Sequence, residues 1–337
     1  LLLHCIQNYM AAFLSQPSQE PNKYFIVTSG PTGSGKGTGL VLATLQHILP
    51  HLPESEISQM EKFLIDDLVE NSINYKEKVH KIIKDIKDDC CKEYKHEICD
   101  DEKIQECEEK KYFSDKIVNK FNEVYMDSRK NDPGCSQYGD SITKAEAKLN
   151  CDELLEGRLK EALVRKPNII VFETTGQNDI KWLLDMIPPE YTVIFTYSLV
   201  HFDILLNRNQ NRAYKDIQTF YENFSKHAPR LPEIRREAFQ KIFDTIKNFA
   251  LELYEKCVVG YDENEETCGE HRINRLLLFD NSKQGRKLPI LVFDSNDNTV
   301  SDFTSALKNL KNIKGGRMTS SRKPSIKTPR KASKKRT

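Results

Sequence analysis

The 337-residue chain lacks an apolar run long enough to cross a bilayer. Its most apolar stretch, "LLLHCIQNYMAAFL", is 14 residues long and is broken by His4, Gln7 and Asn8, whereas a spanning helix needs about 20 apolar residues. No basic segment precedes it, so it does not read as a secretory signal and is predicted to be a core-packing helix. The first residue is Leu and not Met, and the natural N-terminus is expected upstream. Metal-type cysteine spacing is missing too: the nine cysteines form no CxxC pair. Cys91, His96, Cys99 and Cys107 crowd one charged stretch, but at intervals that suit no zinc site. An odd number of cysteines with no small-scaffold spacing predicts reduced thiols and a cytoplasmic protein, with no membrane partner. No NKxD-type base-reading motif is present, which argues against a GTPase, and no strand ends in the Asp-Glu pair usual in motor ATPases. Internal repeats are also lacking.

Charge is unevenly spread. Lys and Arg total 51 against 50 Asp and Glu, yet residues 314–337 hold ten of the basic side chains and no acidic one. The remaining body is therefore acidic by −9. That tail is rich in Ser, Pro and Lys and too poor in apolar residues to offset its ordering entropy, so it is predicted to be disordered. Nonspecific contact with nucleic acid is the most it suggests, since no aromatic residue interleaves with the basic ones for base stacking.

What is present is an alternation of short apolar runs with amphipathic ones. "YFIVTS" (24–29), "KFLID" (62–66), "NIIVFE" (168–173), "YTVIFTYSL" (191–199), "NRLLLFDNS" and "PILVFDS" read as strands. "TGLVLATLQHIL", "CDELLEGRLKEALVRK", "IKWLLDMIP", "FDILLNRNQNRAY" and "PEIRREAFQKIFDTIKNFALELYEK" read as helices. Residues 76–131, dense in Lys, Asp and Glu, are predicted to be solvated helices. This order predicts an α/β fold with a mostly parallel sheet.

The first strand runs into Gly30-Pro31-Thr32-Gly33-Ser34-Gly35-Lys36, the first seven positions of GxxxxGK[ST]. Glycines let backbone N–H groups converge on phosphate oxygens, the next helix offers its positive end, and Lys36 reaches the β- and γ-phosphates. Gly37 follows the lysine and the hydroxyl is deferred to Thr38, which weakens Thr38 as a magnesium ligand.

Phosphoryl transfer also needs a proton acceptor and cations. Asp66 and Asp67 close the predicted second strand, where ligands of open α/β sheets sit. They are candidates for the base, the alternative being a helix cap. Glu173 ends the strongest strand and is followed by Thr174, Thr175 and Gly176, a group suited to an acceptor hydroxyl or to magnesium-bound water. Arg208 and Arg212 share a helical face and are candidates to neutralise the transferring group, with Arg230 a third.

In order and spacing, "GPTGSGKGT", "LIDDLVENSINY", "VFETTG", "LLNRNQNRA" and "LLFDNS" resemble the zeta-toxin-like P-loop kinases. The resemblance spans residues 24–282. It implies a P-loop kinase-like domain over 24–313 with a charged helical insertion near 80–145, a helical extension at 1–23 and the tail at 314–337. It also implies Lys36 as phosphate lysine, Asp66 as base with Asp67 the alternate, and Glu173 as acceptor-binding acid. Arg208 and Arg212 become lid arginines, and Asp280 and Asn281 lie near the nucleotide. ATP and Mg²⁺ are the implied cofactors. Gln177 stands where the family tends to place an arginine, so its amino-sugar acceptor is not carried over. The expected reaction is ATP-dependent phosphorylation of a hydroxyl on a sugar, nucleotide or nucleic acid. A polynucleotide 5′-hydroxyl or nucleotide kinase, and a non-catalytic nucleotide-binding structural or virion protein, are the alternatives.

Overall fold

The structure, a computed structural model, describes residues 22–93, 101–132, 135, 146–176, 180–233, 235–259, 273–283, 288–297, 303 and 305–306. The N-terminal apolar stretch, the middle of the cysteine-rich segment and the basic tail lie outside the described residues. Six strands form one sheet in the order β2-β3-β1-β4-β5-β6. They are β1 (Lys23–Ser29), β2 (Glu61–Leu64), β3 (Ile169–Glu173), β4 (Tyr191–Leu199), β5 (Arg275–Asp280) and β6 (Ile290–Asp294). All neighbouring strands pair parallel except β5 with β6.

A parallel sheet needs helical crossovers, and these cover both faces, which is why the strands read as near-continuous apolar runs. Side chains alternate across it. Ile26, Ile169, Val171, Ile194 and Leu277 pack on helix α1 (Thr38–Ile48) through Leu40, Val41 and Leu45. Phe25, Val27, Ile170, Phe172, Val193 and Phe195 face the opposite layer. That layer contains α3 (Ile65–Asn71), α4 (Ile73–Glu93), α6 (Asp115–Lys130), α7 (Cys151–Arg165) and α9 (Phe202–Glu222). The remaining α-helices among the described residues are α2 (Glu54–Ser58), α5 (Asp101–Tyr112), α8 (Lys181–Leu184) and α10 (Arg236–Leu253). With the glycine loop between β1 and α1, this is a P-loop kinase-like α/β arrangement.

Two expectations are corrected. The second strand stops at Leu64, so Asp66 and Asp67 lie in the first turn of α3 and not at a strand end. There their charge complements the helix dipole, and the N-cap position, Leu64, has no side-chain cap. The thiols are not all reduced: Cys90 pairs with Cys107 and Cys135 with Cys151, Cys257 is also disulfide-bonded, and Cys91 is free and exposed. The first bridge joins α4 to α5, a helix-to-helix contact that linear spacing does not encode. The second joins Cys135 to the first residue of α7.

The charged segment is less solvated than its composition predicts. One face of α4 buries Tyr75, Val79, Ile82, Ile83 and Ile86, and α6 buries Val118, Phe121 and Tyr125 in the same core as the sheet. Helix α7 begins with a reciprocal capping box between Asn150 and Glu153 and stops at Lys166, in the left-handed conformation (φ 56°).

At the end of the sheet remote from the loop, Asp294 is buried between His47 and Arg275. His47 Nε2 lies 2.7 Å from its Oδ2, and Arg275 Nε donates to its Oδ1 at 2.9 Å. Burial opposes the charge, but bonds from Arg275, His47 and the Asn296 backbone outweigh it and hold the carboxyl at about 2, below its ordinary 3.8. A depressed carboxyl stabilises the fold above its unfolded pKa, and that contribution is lost as pH falls through the folded value. We therefore expect stability to decline by roughly 2 kcal/mol between pH 3.8 and 2 from this group. Asp294→Asn should remove that part of the decline in denaturant titrations at stepped pH.

Candidate active site

The loop after β1 turns sharply. Gly33 and Gly35 have φ of +81° and +77°, and a Cβ on Gly33 would stand 1.9 Å from Asn209 Oδ1, one on Gly35 2.4 Å from Asn281 Nδ2. Only glycine fits both positions. The Ser34 carbonyl is held from two strands. Ser198 Oγ, on β4, donates to it at 2.6 Å, and Asn281 Nδ2, just past β5, at 2.8 Å. Asn281 is itself fixed: its N–H donates to Leu199 O at 2.8 Å, and its carbonyl accepts from Arg208 Nη1 at 2.9 Å. Pro31 closes the turn by accepting from Ser34 N at 3.1 Å. Gly37 occupies the N-cap position of α1, the end that presents free N–H groups.

Lys36 is buried and points to Glu173, with Nζ 3.4 Å from Oε1. Burial raises the pKa of Glu173, Lys36 partly offsets this, and the charge of Asp66 adds to the rise. Asp66 accepts from Arg230 Nη1 at 2.6 Å and from the Tyr125 hydroxyl. Burial pushes its carboxyl up, but Arg230, Lys36 and the Tyr125 bond together hold it below the usual carboxylate range, so it stays ionised. Asp67 has no comparable cation, and burial together with the Asp66 charge raises it despite His227. The Arg230 guanidinium also lies 4.3 Å from the centre of the Tyr125 ring.

Lys36, Asp66, Glu173, Thr174, Thr175, Thr32 and Arg230 all line one cleft of about 590 Å³, a volume in the range of small-molecule sites. Its other walls come from α6, α7, α8 and α10, including Tyr125, Met126, Arg129, Asp152, Trp182 and Phe239. A second recess of about 330 Å³ shares Thr32, Asp66 and Arg230 and adds Asp67, Glu70, Asn209, Arg212 and His227.

The structure thus gathers Lys36, Asp66, Glu173, Thr174 and Thr175 beside the loop, together with Arg230. Asp67 turns to the smaller recess. Arg208 and Arg212 separate: Arg208 braces Asn281, whereas Arg212 is exposed and pairs with Asp216 at 3.2 Å. Asp280 holds the turn by accepting from Ser282 N at 2.8 Å. The side chain of Thr38 and residue Gln177 lie outside the described residues. Four further residues carry no motif signal. Tyr125 sits in a helix that reads as solvated, and Trp182 in one that reads only as a helix. Glu70 looks like an ordinary helical acid. Asn209 lies inside "NRNQNRAY", where the arginines draw attention. An Asn at mid-helix is disfavoured, and this was the available signal.

The loop suits a polyphosphate. Its close backbone approach leaves no room for Cβ atoms at Gly33 and Gly35. Ser34 Oγ and both amide atoms of Asn209 are buried beside it with no protein hydrogen bond. For Mg²⁺, Glu173 offers a carboxylate beside the loop, its Oε2 3.9 Å from where a Cβ on Gly37 would sit. Among the described residues, no three His, Cys, Asp or Glu side chains cluster as a preformed metal cage. Such a cage is not needed where phosphates supply most ligands. The cysteine–histidine group named above is not such a cage either, since Cys107 pairs with Cys90, and His96 and Cys99 lie outside the described residues. No described helix is long and apolar enough to cross a membrane.

No protein-family model and no curated protein matches the chain. A solved structure from the PezAT chromosomal toxin-antitoxin system of the human pathogen Streptococcus pneumoniae aligns over 91% of this chain and 85% of its own, at 10% identity and a TM-score of 0.40. A superposition that loose carries no weight for the residues of the site.

Glu70 offers a test of the charge crowding. Burial first, then the Asp66 charge, pushes its carboxyl up to about 8, against partial relief from Arg212 and Arg230. An acid that stays protonated when folded, but ionises near 4.5 when unfolded, stabilises the fold below pH 4.5 and ceases to do so as pH rises to 8. Wild-type stability should therefore carry a falling component across that window. Urea titrations of Glu70→Gln should show a flatter pH profile there.

Proposed function

We propose that this chain is an ATP-dependent phosphotransferase acting on a hydroxyl group. The observation that carries the reading is the meeting of Lys36, Glu173, Asp66 and Arg230 at the head of one cleft, directly beside a glycine loop fitted to phosphate. The motif-level resemblance to zeta-toxin-like kinases points the same way.

In this reading the free backbone N–H groups of the loop after β1, together with Lys36, hold the β- and γ-phosphates of ATP. Lys36 then exchanges its Glu173 partner for phosphate oxygens, and Glu173 becomes available to an acceptor hydroxyl. Glu173, beside the loop, is the side chain that would hold a Mg²⁺ brought in with ATP, and the ion would supply positive charge to the phosphates. The acceptor oxygen attacks the γ-phosphorus as the bond to the ADP bridging oxygen breaks, and the hydroxyl proton passes to Asp66. A carboxylate of low pKa suits this role, because in a loose transition state the proton leaves late and orientation matters more than basicity. Thr174 and Thr175 are placed to orient the acceptor, Arg230 to hold Asp66, and Asn281 and Asn209 to keep the loop and its nucleotide in place. Arg208 acts through Asn281, which it braces, and Arg212 would have to leave Asp216 to reach the transferring group.

Labelled ATP supplied with a panel of hydroxyl acceptors tests the reading by mass spectrometry. Transfer should fall by at least about a thousandfold in Asp66→Asn and Lys36→Ala, because the charges they remove act on the transition state. ATP affinity should survive in Asp66→Asn. Tight ATP binding with no transfer to any sugar, nucleotide or RNA end would instead mark a nucleotide-binding protein without turnover.

A further inference from the structure

We propose that the acceptor taken by the 590 Å³ cleft is an uncharged hydroxyl compound carrying a flat aromatic ring, which lies against Trp182. The proposal rests on the phosphotransferase reading and narrows its substrate class. Two independent features of the cleft carry it, one apolar and one electrostatic.

Trp182 is 45% exposed and Met126 40% exposed, and both line this same cleft. Large apolar side chains left open in a concave site mark a place where an apolar partner fits. The Trp182 indole is held from behind by Phe172, edge to face with ring centres 5.9 Å apart, so one aromatic surface stays presented and preoriented. Phe172 immediately precedes Glu173 on β3, which links the apolar wall to the acid that would meet the hydroxyl. An acceptor with a ring at one end and a hydroxyl at the other matches this polarity.

The charge in the cleft disfavours a phosphorylated acceptor. Among the described residues three cations line it, and each already faces a carboxylate. Lys36 lies 3.4 Å from Glu173, Arg129 2.7 Å from Asp152, and Arg230 2.6 Å from Asp66. Glu156 and Glu233 add two further carboxylates to the lining, each paired with a cation outside it, Lys160 at 2.6 Å and Arg235 at 2.8 Å. A phosphate monoester brings about two negative charges and would have to break one of these pairs to find a cation. A nucleic-acid end adds a charge with every nucleotide, in a body already acidic by −9 outside the tail.

Trp182 is the sole tryptophan of the chain, so intrinsic tryptophan emission reports on this cleft alone. Adenosine, uridine and 2-phenylethanol should be titrated without ATP, alongside the phosphate monoester of each and a hydroxyl-ended oligonucleotide. At least one uncharged compound should change the emission saturably, and its phosphate ester should bind at least about tenfold more weakly. Calorimetry on Trp182→Ala should show roughly a tenfold loss for that compound, the order expected for one aromatic stack. A phosphate ester or oligonucleotide that binds as tightly as the uncharged form overturns the proposal, as does the absence of saturable binding by all three uncharged compounds. Binding as described without transfer in the ATP assay would sink the phosphotransferase reading and leave this one standing. Transfer to a phosphate-bearing acceptor would do the reverse.

Discussion

Parallel pairing of β2, β3 and β1 in register is the constraint on which the site depends. Leu64 and Thr28 both pair with Glu173, from opposite sides. The chain leaving β1 therefore carries Lys36, and the chain leaving β2 carries Asp66, to flank the acid at the end of β3. Three segments far apart in sequence converge because strands of one direction deliver their carboxyl ends to one edge. A one-residue slip in either pairing would turn the outgoing side chains to the other face of the sheet.

The charges so assembled are not independent. Asp66 lowers the cost of burying Arg230 and raises that of ionising Glu70, Asp67 and Glu173. Charge is thereby sorted: Asp66 remains an anion while its neighbours hold their protons more strongly. Sorting of this kind separates roles among chemically similar groups. The loop is braced by a different set, Ser198 and Asn281 on one carbonyl with Arg208 behind Asn281, so the groups that hold the cradle's shape are separate from the charged cluster around Asp66.

The strands were legible because both faces of a parallel sheet are apolar, which makes β3 and β4 unmistakable as continuous runs. The end of the second strand is hidden in the sequence because Ile65 continues the apolar run, although the chain has already turned into a helix there. The charged helices were read as solvated because composition averages over faces; the stripe of Tyr75, Val79, Ile82 and Ile86 is the part that packs. The disulfides are not legible because the spacing of cysteines says nothing about which helices lie side by side.

The sequence by itself determined the phosphate loop, since GxxxxGK after a strand is a local arrangement whose physics needs only neighbouring residues. It determined the α/β class as well, through periodicity that is local in the same sense. Only the tertiary structure decided that Arg230, and not Arg208 or Arg212, stands against Asp66, and that Tyr125 completes that contact. It alone opened Trp182 into the same cleft and set Asn209 over Gly33. Each of these pairs residues distant along the chain, and the contact between them arises only when the helices settle on the sheet.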